Sequence, residues 1–306
     1  MAIVVVGSLN ADLVVRVARF PAPGETLTGT SFARFPGGKG ANQAYAAGRL
    51  GGRAAMVGRV GDDDLGRWLT AHLAGGGVDT AAVTAVAGES TGLALITIDE
   101  SGQNEIVLVP GANGTFMPSG LEAVRSVLQA AAVLLLQLEI PMDTVLAAAR
   151  AGRAAGATVI LDPAPAVPLP PALLPLVDLV TPNESELVLL TGGGRVEHAD
   201  DLRHHADRLL AQGARSVLVK CGAQGARLFG ALGESEWPAR AVTVVDTTAA
   251  GDTFNGVLAV GLSERLDIDR AVRRAVAAAT LSVTREGAQP SMPTRAEVDA
   301  WLHGRA

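Results

Sequence analysis

Cysteine is nearly absent: Cys221 stands alone among 306 residues, so no disulfide can form within the chain and no thiolate cluster can hold a metal. Lysine is almost as scarce, occurring only at Lys39 and Lys220, and arginine carries nearly all the other positive charge. The net charge of −6 argues against nucleic-acid binding, which needs a clustered basic surface against the phosphate backbone. Aromatic residues make up only 3%, so the core must be built from Ala, Val, Leu and Gly. Such a composition suits close packing of helices on a sheet. The histidines His72, His198, His204, His205 and His303 show no metal-ligand spacing, and His204 with His205 reads as solvated helix surface. The apolar run 130–138 is too short to span a bilayer. Residues 1–6 are apolar but lack a basic flank, which reads as a buried strand and not as a signal peptide. A cytoplasmic protein with no membrane partner is expected.

What is present is a large apolar fraction, 48%, against 18% charged. A sizeable core can be buried, and residues 1–306 are expected to form one large α/β domain. The hydrophobic pattern predicts strands over 3–6, 54–60, 133–138, 158–161, 176–180, 216–220 and 241–245. It predicts helices over 41–50, 65–73, 142–155, 199–212, 252–262 and 268–284, with a short one from Glu184. Strands alternating with helices imply a mainly parallel central sheet with helices on both faces. Two stretches break the rhythm, 13–18 with 26–35 and 92–99 with 105–109. They read as hairpins of a small β-sheet lid contributed by about 12–36 and 91–112. The Pro-rich segment 162–175 reads as a rigid loop.

The strongest local signal is Asp246-Thr247-Thr248-Ala249-Ala250-Gly251-Asp252-Thr253-Phe254-Asn255-Gly256. Small residues precede an apolar helix whose first backbone amides attract anions, and a carboxylate at Asp252 suits removal of a proton from an alcohol. Taken alone, Asp252 also fits a helix cap. Gly7-Ser8-Leu9-Asn10-Ala11-Asp12 and Gly37-Gly38-Lys39-Gly40-Ala41-Asn42-Gln43 offer Asn, Asp and exposed backbone groups that pair with sugar hydroxyls. Taken alone, Asn10 and Asp12 also fit turn formers, and Gly37-Gly38 a helix-entry loop. Glu139 follows a buried strand, at the sheet edge where α/β sites gather, and could equally cap the helix after Pro141. Thr181-Pro182-Asn183-Glu184-Ser185-Glu186 reads as a capped helix start. A Walker A loop is excluded because Gly40 follows Lys39 where Ser or Thr is required, and the GxGxxG pattern fails at Gly7.

These strings, in this order, resemble the ribokinase (PfkB) family of carbohydrate kinases nearly end to end. The resemblance implies a ribokinase-like fold that transfers the ATP γ-phosphoryl group to a sugar hydroxyl, in its narrower form the 5-hydroxyl of D-ribose. Kinases for deoxyribose, nucleosides or other sugars, and a non-catalytic sugar- or nucleotide-binding protein, are the alternatives. It makes Asp252 the general base and lines an anion hole with Ala249, Ala250 and Gly251. It assigns Asn10, Asp12, Gly38, Lys39, Asn42 and Glu139 to the sugar, and Asn183, Lys220, Gly222, Gly225 and Gly251 to the nucleotide. Cys221, beside that nucleotide loop, reads as packing. Glu186 falls to the Mg²⁺ shell, through water. Asp246, Thr248, Ser282, Arg285, Gly287 and Ser291 fall to a monovalent cation, K⁺. The resemblance also implies a homodimer formed through the lid.

Overall fold

The first strand, β1 (Ala2–Val6), is buried along four consecutive residues. Alternate side chains of a strand face opposite ways, and Ile3 and Val5 join one core cluster while Val4 and Val6 join the other. A strand buried on both faces lies inside a sheet that helices cover on each side. A computed structural model describes residues 2–194 and 199–304; His198 lies outside them.

After β1 come β2 (Asn10–Arg16), β3 (Ser31–Gly37), α1 (Lys39–Arg49), β4 (Arg53–Gly61), α2 (Asp64–Gly75) and β5 (Asp79–Val86). Next are β6 (Gly92–Ile98), β7 (Asn104–Val109), α3 (Arg125–Gln129), β8 (Ala131–Leu136), α4 (Met142–Ala154) and β9 (Thr158–Leu161). β10 (Leu179–Val180), α5 (Glu184–Leu190), α6 (Ala199–Ala211), β11 (Ser216–Lys220), β12 (Ala226–Gly230) and β13 (Ser235–Trp237) follow. The chain closes with α7 (Ala250–Ser263), α8 (Ile268–Ser282) and α9 (Arg295–Leu302).

A 9-stranded sheet runs in the order β13-β12-β11-β10-β9-β8-β1-β4-β5. It is parallel from β11 to β5, and antiparallel only where β12 joins β11 and β13 joins β12. Residues of α1, α2, α7, α8 and α9 fill one core cluster, and residues of α4, α5 and α6 fill the other. The central α/β architecture thus matches the reading of the sequence. A second, 4-stranded sheet has the order β3-β2-β6-β7. In it β2 pairs antiparallel with β3 and parallel with β6, and β6 forms a hairpin with β7. All six residues of β7 are exposed.

Three expectations need correction. Residues 241–245 form no strand: Val244 and Val245 are exposed, and the Val245 amide donates to the Val283 carbonyl at the end of α8. An apolar run becomes a strand only with a partner ladder, and here the chain passes over a helix end. The strand expected over 176–180 shrinks to two residues, because Leu174–Leu176 close a 3₁₀ turn through Pro175. His205 is buried, not solvated, with Nδ1 2.6 Å from Thr191 Oγ1, and only His204 faces water.

Candidate active site

In open α/β sheets, ligands gather beyond the carboxyl ends of the strands. Here the ends of β9 and β11 and the starts of α1, α5 and α7 surround a cavity of about 600 Å³. Lys39, Asp162, Asn183, Glu186, Lys220, Gly251 and Asp252 all line it.

Asp252 lies in the first turn of α7, 5% exposed. Its carboxylate accepts from Asn42 Nδ2 at 2.9 Å and from Gln43 Nε2 at 3.1 Å, two neighbours on α1. These bonds reach across to another helix, so the carboxylate does not cap its own. Burial pushes the Asp252 carboxyl up to about 6; Lys39 opposes that rise, Asp162 adds to it, and the two amides oppose it again. A carboxylate so placed changes protonation close to neutral pH and lies in a cavity, which suits proton transfer.

The α7 start has an unusual backbone. Ala249 occupies the left-handed region with φ of 58°, which costs a residue with a Cβ about 1–2 kcal/mol. The Ala250 amide donates to the Thr247 carbonyl at 3.2 Å and the Thr253 amide to the Ala249 carbonyl. The amides of Gly251 and Asp252 lie in the first turn, where no intrahelical acceptor exists. A Cβ on Gly251 would stand 3.2 Å from Lys220 Nζ, so the Lys220 ammonium lies beside this loop. Lys220 Nζ bonds Asp162 Oδ1 at 2.8 Å.

Near the start of α1, Asn10 opens β2 and Asp12 lies within it, so both are strand residues and not turn formers. Glu139 does not cap α4, whose N-cap is Pro141. Instead its Oε2 accepts from Ser8 Oγ at 2.5 Å and from the Lys39 amide at 3.1 Å. Gly38, the N-cap of α1, has φ of 86°, and a Cβ there would come 2.7 Å from the Asn10 amide nitrogen. Glycine is required at this crossing. Burial, then the nearby Glu139 and Asp252, push the Asp12 carboxyl up to about 7. Burial opposes the charge on Lys39, yet Asp252, Asp162, Glu139 and Glu186 together hold its ammonium above the ordinary lysine value.

Asn183 and Glu186 form a capping box on α5: Asn183 Oδ1 accepts from the Glu186 amide at 2.8 Å, and Glu186 Oε2 accepts from the Asn183 amide at 2.7 Å. Both still line the cavity, as do Gly222 and Gly225. Cys221 is buried, and burial pushes its thiol up to about 11, so it packs and offers no thiolate. Farther out, Asp246 Oδ1 accepts from the Thr248 amide and hydroxyl, and Oδ2 accepts from the Gly287 amide at 2.9 Å. Those three residues are brought together. The Ser282 and Ser291 hydroxyls bond the Ala279 and Ala288 carbonyls, and the Arg285 guanidinium pairs with Glu297. Among the described residues, no cluster of three or more His, Cys, Asp or Glu is arranged to hold a metal.

Residues 2–295 match the pfkB family of carbohydrate kinases. The chain belongs to that family. This pfkB-family chain is similar to the ribokinase of Haemophilus influenzae, 41% identical over 97% of both chains. It is similar to a deoxyribokinase of Salmonella typhi, 35% identical over 99% of both. The structure of Arabidopsis thaliana ribokinase complexed with ribose and ATP superposes with a TM-score of 0.93, at 38% identity over 98% of both chains.

Four buried polar residues at the family site escaped the sequence reading. Gln43 Nε2 bridges Asp162 Oδ2 at 2.8 Å to Asp252, and Gln43 Oε1 accepts from Gln137 Nε2 at 2.7 Å. Asp162 anchors Lys220, and Asn113 holds Asn10. Gln43 stands next to Asn42 in the Gly-rich string and was within reach; Asp162 and Asn113 carry no local signal.

Proposed function

We infer that this chain is an ATP-dependent ribose kinase, transferring the γ-phosphoryl group to the 5-hydroxyl of D-ribose. The observation that carries the reading is Asp252: a buried carboxylate gripped by two α1 amides, at the start of the helix that opens onto the cavity. The identity to ribokinases over nearly the whole chain supports the substrate.

In this reading Asn10, Asp12, Gly38, Lys39, Asn42 and Glu139 hold the sugar. Asp252 accepts the proton of the attacking hydroxyl as the oxygen bonds to phosphorus, and the bond from phosphorus to the ADP oxygen breaks. Ala249, Ala250 and Gly251 line the anion hole, where the Gly251 amide, free of an intrahelical acceptor, faces the charge on the transferred group, so catalysis is positioning plus electrostatics. Asn183, Lys220, Gly222 and Gly225 line the nucleotide half. Glu186 lines the cavity with one carboxylate oxygen held by the Asn183 amide, an oxygen donor that fits a hard cation brought with the nucleotide. Glu186 would hold Mg²⁺ through water, and that ion would neutralise phosphate charge. Asp246, Thr248, Ser282, Arg285, Gly287 and Ser291 would surround K⁺ and order the loop before α7. The reading includes one catalytic unit over the whole chain, a cytoplasmic location and a homodimer through the small sheet. Exposed apolar residues on that sheet support the dimer, with Phe32 64% and Val107 61% exposed.

An ATP-consumption screen over ribose, deoxyribose, fructose and nucleosides tests the reading. Turnover highest with ribose upholds it. Preference for deoxyribose moves the chain toward its deoxyribokinase relative, and no turnover with any acceptor leaves a binding protein.

A further inference from the structure

Asn113 is 1% exposed, lies in a 3₁₀ turn (Gly111–Thr115) after β7, and has no part in the reading above. Its side chain makes three hydrogen bonds. Oδ1 accepts from the Leu9 amide at 3.0 Å, while Nδ2 donates to the Leu9 carbonyl at 3.0 Å and to Asn10 Oδ1 at 2.8 Å.

The two ends of a carboxamide look alike in shape, and their assignment must come from partners. Here the partners decide it. A backbone N–H can only donate and a backbone C=O can only accept, so the Leu9 peptide groups fix which end of Asn113 is oxygen. The Nδ2 end then has two hydrogens, one for the Leu9 carbonyl and one for Asn10. Asn10 must present its oxygen to Asn113, and its own NH₂ is left for the other side. The cluster leaves no slack: a Cβ on Gly92, the β6 residue paired with Asn10, would stand 2.2 Å from Asn113 Nδ2 and 2.3 Å from Asn10 Oδ1. Neither amide can turn over without losing bonds in a buried place, where an unmade hydrogen bond is costly.

We propose that Asn113 is a specificity-determining positioning residue: it locks Asn10 as a hydrogen-bond donor toward the acceptor sugar, so the site demands a sugar oxygen that accepts at that point. This rests on the reading of Asn10 as a sugar contact. With Asp12 and Glu139 supplying carboxylate oxygens nearby, the sugar then meets an ordered pattern, donor from Asn10 and acceptors from the acids.

The test reverses the polarity from each side. Asn113→Asp can still accept from the Leu9 amide but can donate neither to the Leu9 carbonyl nor to Asn10, which must turn its NH₂ inward. Asn10→Asp keeps the bond from Asn113 and presents only oxygen to the sugar. Each variant is measured with ribose and with its singly deoxygenated analogues, together with the KM for ATP and the melting temperature. The expected result is a rise of about ten-fold in KM for ribose, an unchanged KM for ATP, and no further loss on one particular deoxy sugar, the same for both variants. A merely structural role for Asn113 would raise KM evenly across the analogues and would overturn the proposal. If Asn113→Asp fails to fold, Asn10→Asp decides alone: wild-type ribose binding there refutes the donor assignment. If Asn10→Asp and Asn10→Ala both leave ribose KM unchanged, the sugar-site reading itself is wrong. If only Asn113→Asp is silent while folded, the sugar site stands and the positioning role falls.

Discussion

Single residues divide the proton chemistry from the binding chemistry. Asp252→Asn keeps an oxygen for one of the two α1 amides, turns an NH₂ toward the other, and removes the basic site, so kcat should fall by about 10²–10⁴-fold while ribose and ATP binding, followed by calorimetry, hold within a few-fold. With the free carboxyl raised to about 6, the base is unprotonated above that pH. Activity should therefore fall as the medium is acidified through about 6, seen in kcat/KM against pH. Asp12, raised to about 7, lies near enough to couple, so the observed limb belongs to the pair and not to either acid. Lys39 opposes the rise at Asp252, so Lys39→Met should move the acid limb to higher pH as well as weaken sugar binding. An unmoved limb would remove Lys39 from the electrostatics of the base. What could be read from the chain at this scale were residues inside dense strings, such as Asn42, Lys39 and Asp252. Asp162 and Asn113 could not be read, because each earns its place through partners 119 and 103 residues away, Gln43 and Asn10. Sequence position alone says nothing of such a meeting.

At the level of elements, α1 is the organiser. It begins at a positive-φ glycine, Gly38, and carries Lys39, Asn42 and Gln43 into the site within its first turns. Gly40 lets it lie against the end of β1: a Cβ there would meet the Ser8 nitrogen at 2.7 Å and Gly7 backbone carbon at 2.8 Å. Gly40→Ala must push the helix start outward. A loss of about 1–3 kcal/mol by thermal or urea unfolding is expected, with a larger proportional loss of kcat/KM, since three site residues move together. At the start of α7 the opposite substitution should help. Ala249→Gly relieves the left-handed backbone at φ 58° and should raise stability by up to about 1 kcal/mol; a lowered melting point would show that the Ala249 methyl is needed for packing. Periodicity foresaw α1 and α7 because their apolar faces repeat along the chain. It failed at 241–245, where valines that read as a strand have no neighbouring strand to pair with.

For the whole molecule, the two sheets do different work. The large one holds two cores and is buried on both faces, which is why its central strands were legible as continuous apolar runs. The small one has an outer strand, β7, exposed along its length with Ile106, Val107 and Leu108 more than half uncovered. An uncovered apolar edge of this kind invites pairing with another chain. Val107→Asp should shift the protein toward monomer in sedimentation experiments, and an unchanged mass would rule this edge out as the contact.

The chain of contacts from Asn42 through Asp252, Gln43 and Asp162 to Lys220 has a consequence for the order in which ligands arrive. On the proposed reading it links a sugar contact, Asn42, to a nucleotide contact, Lys220, through side chains that are buried up to Lys220 itself. A ligand that displaces either end is then expected to shift the other. Titrating ATP into sugar-saturated and sugar-free protein should therefore give different dissociation constants, and cutting the middle with Gln43→Leu should make them equal.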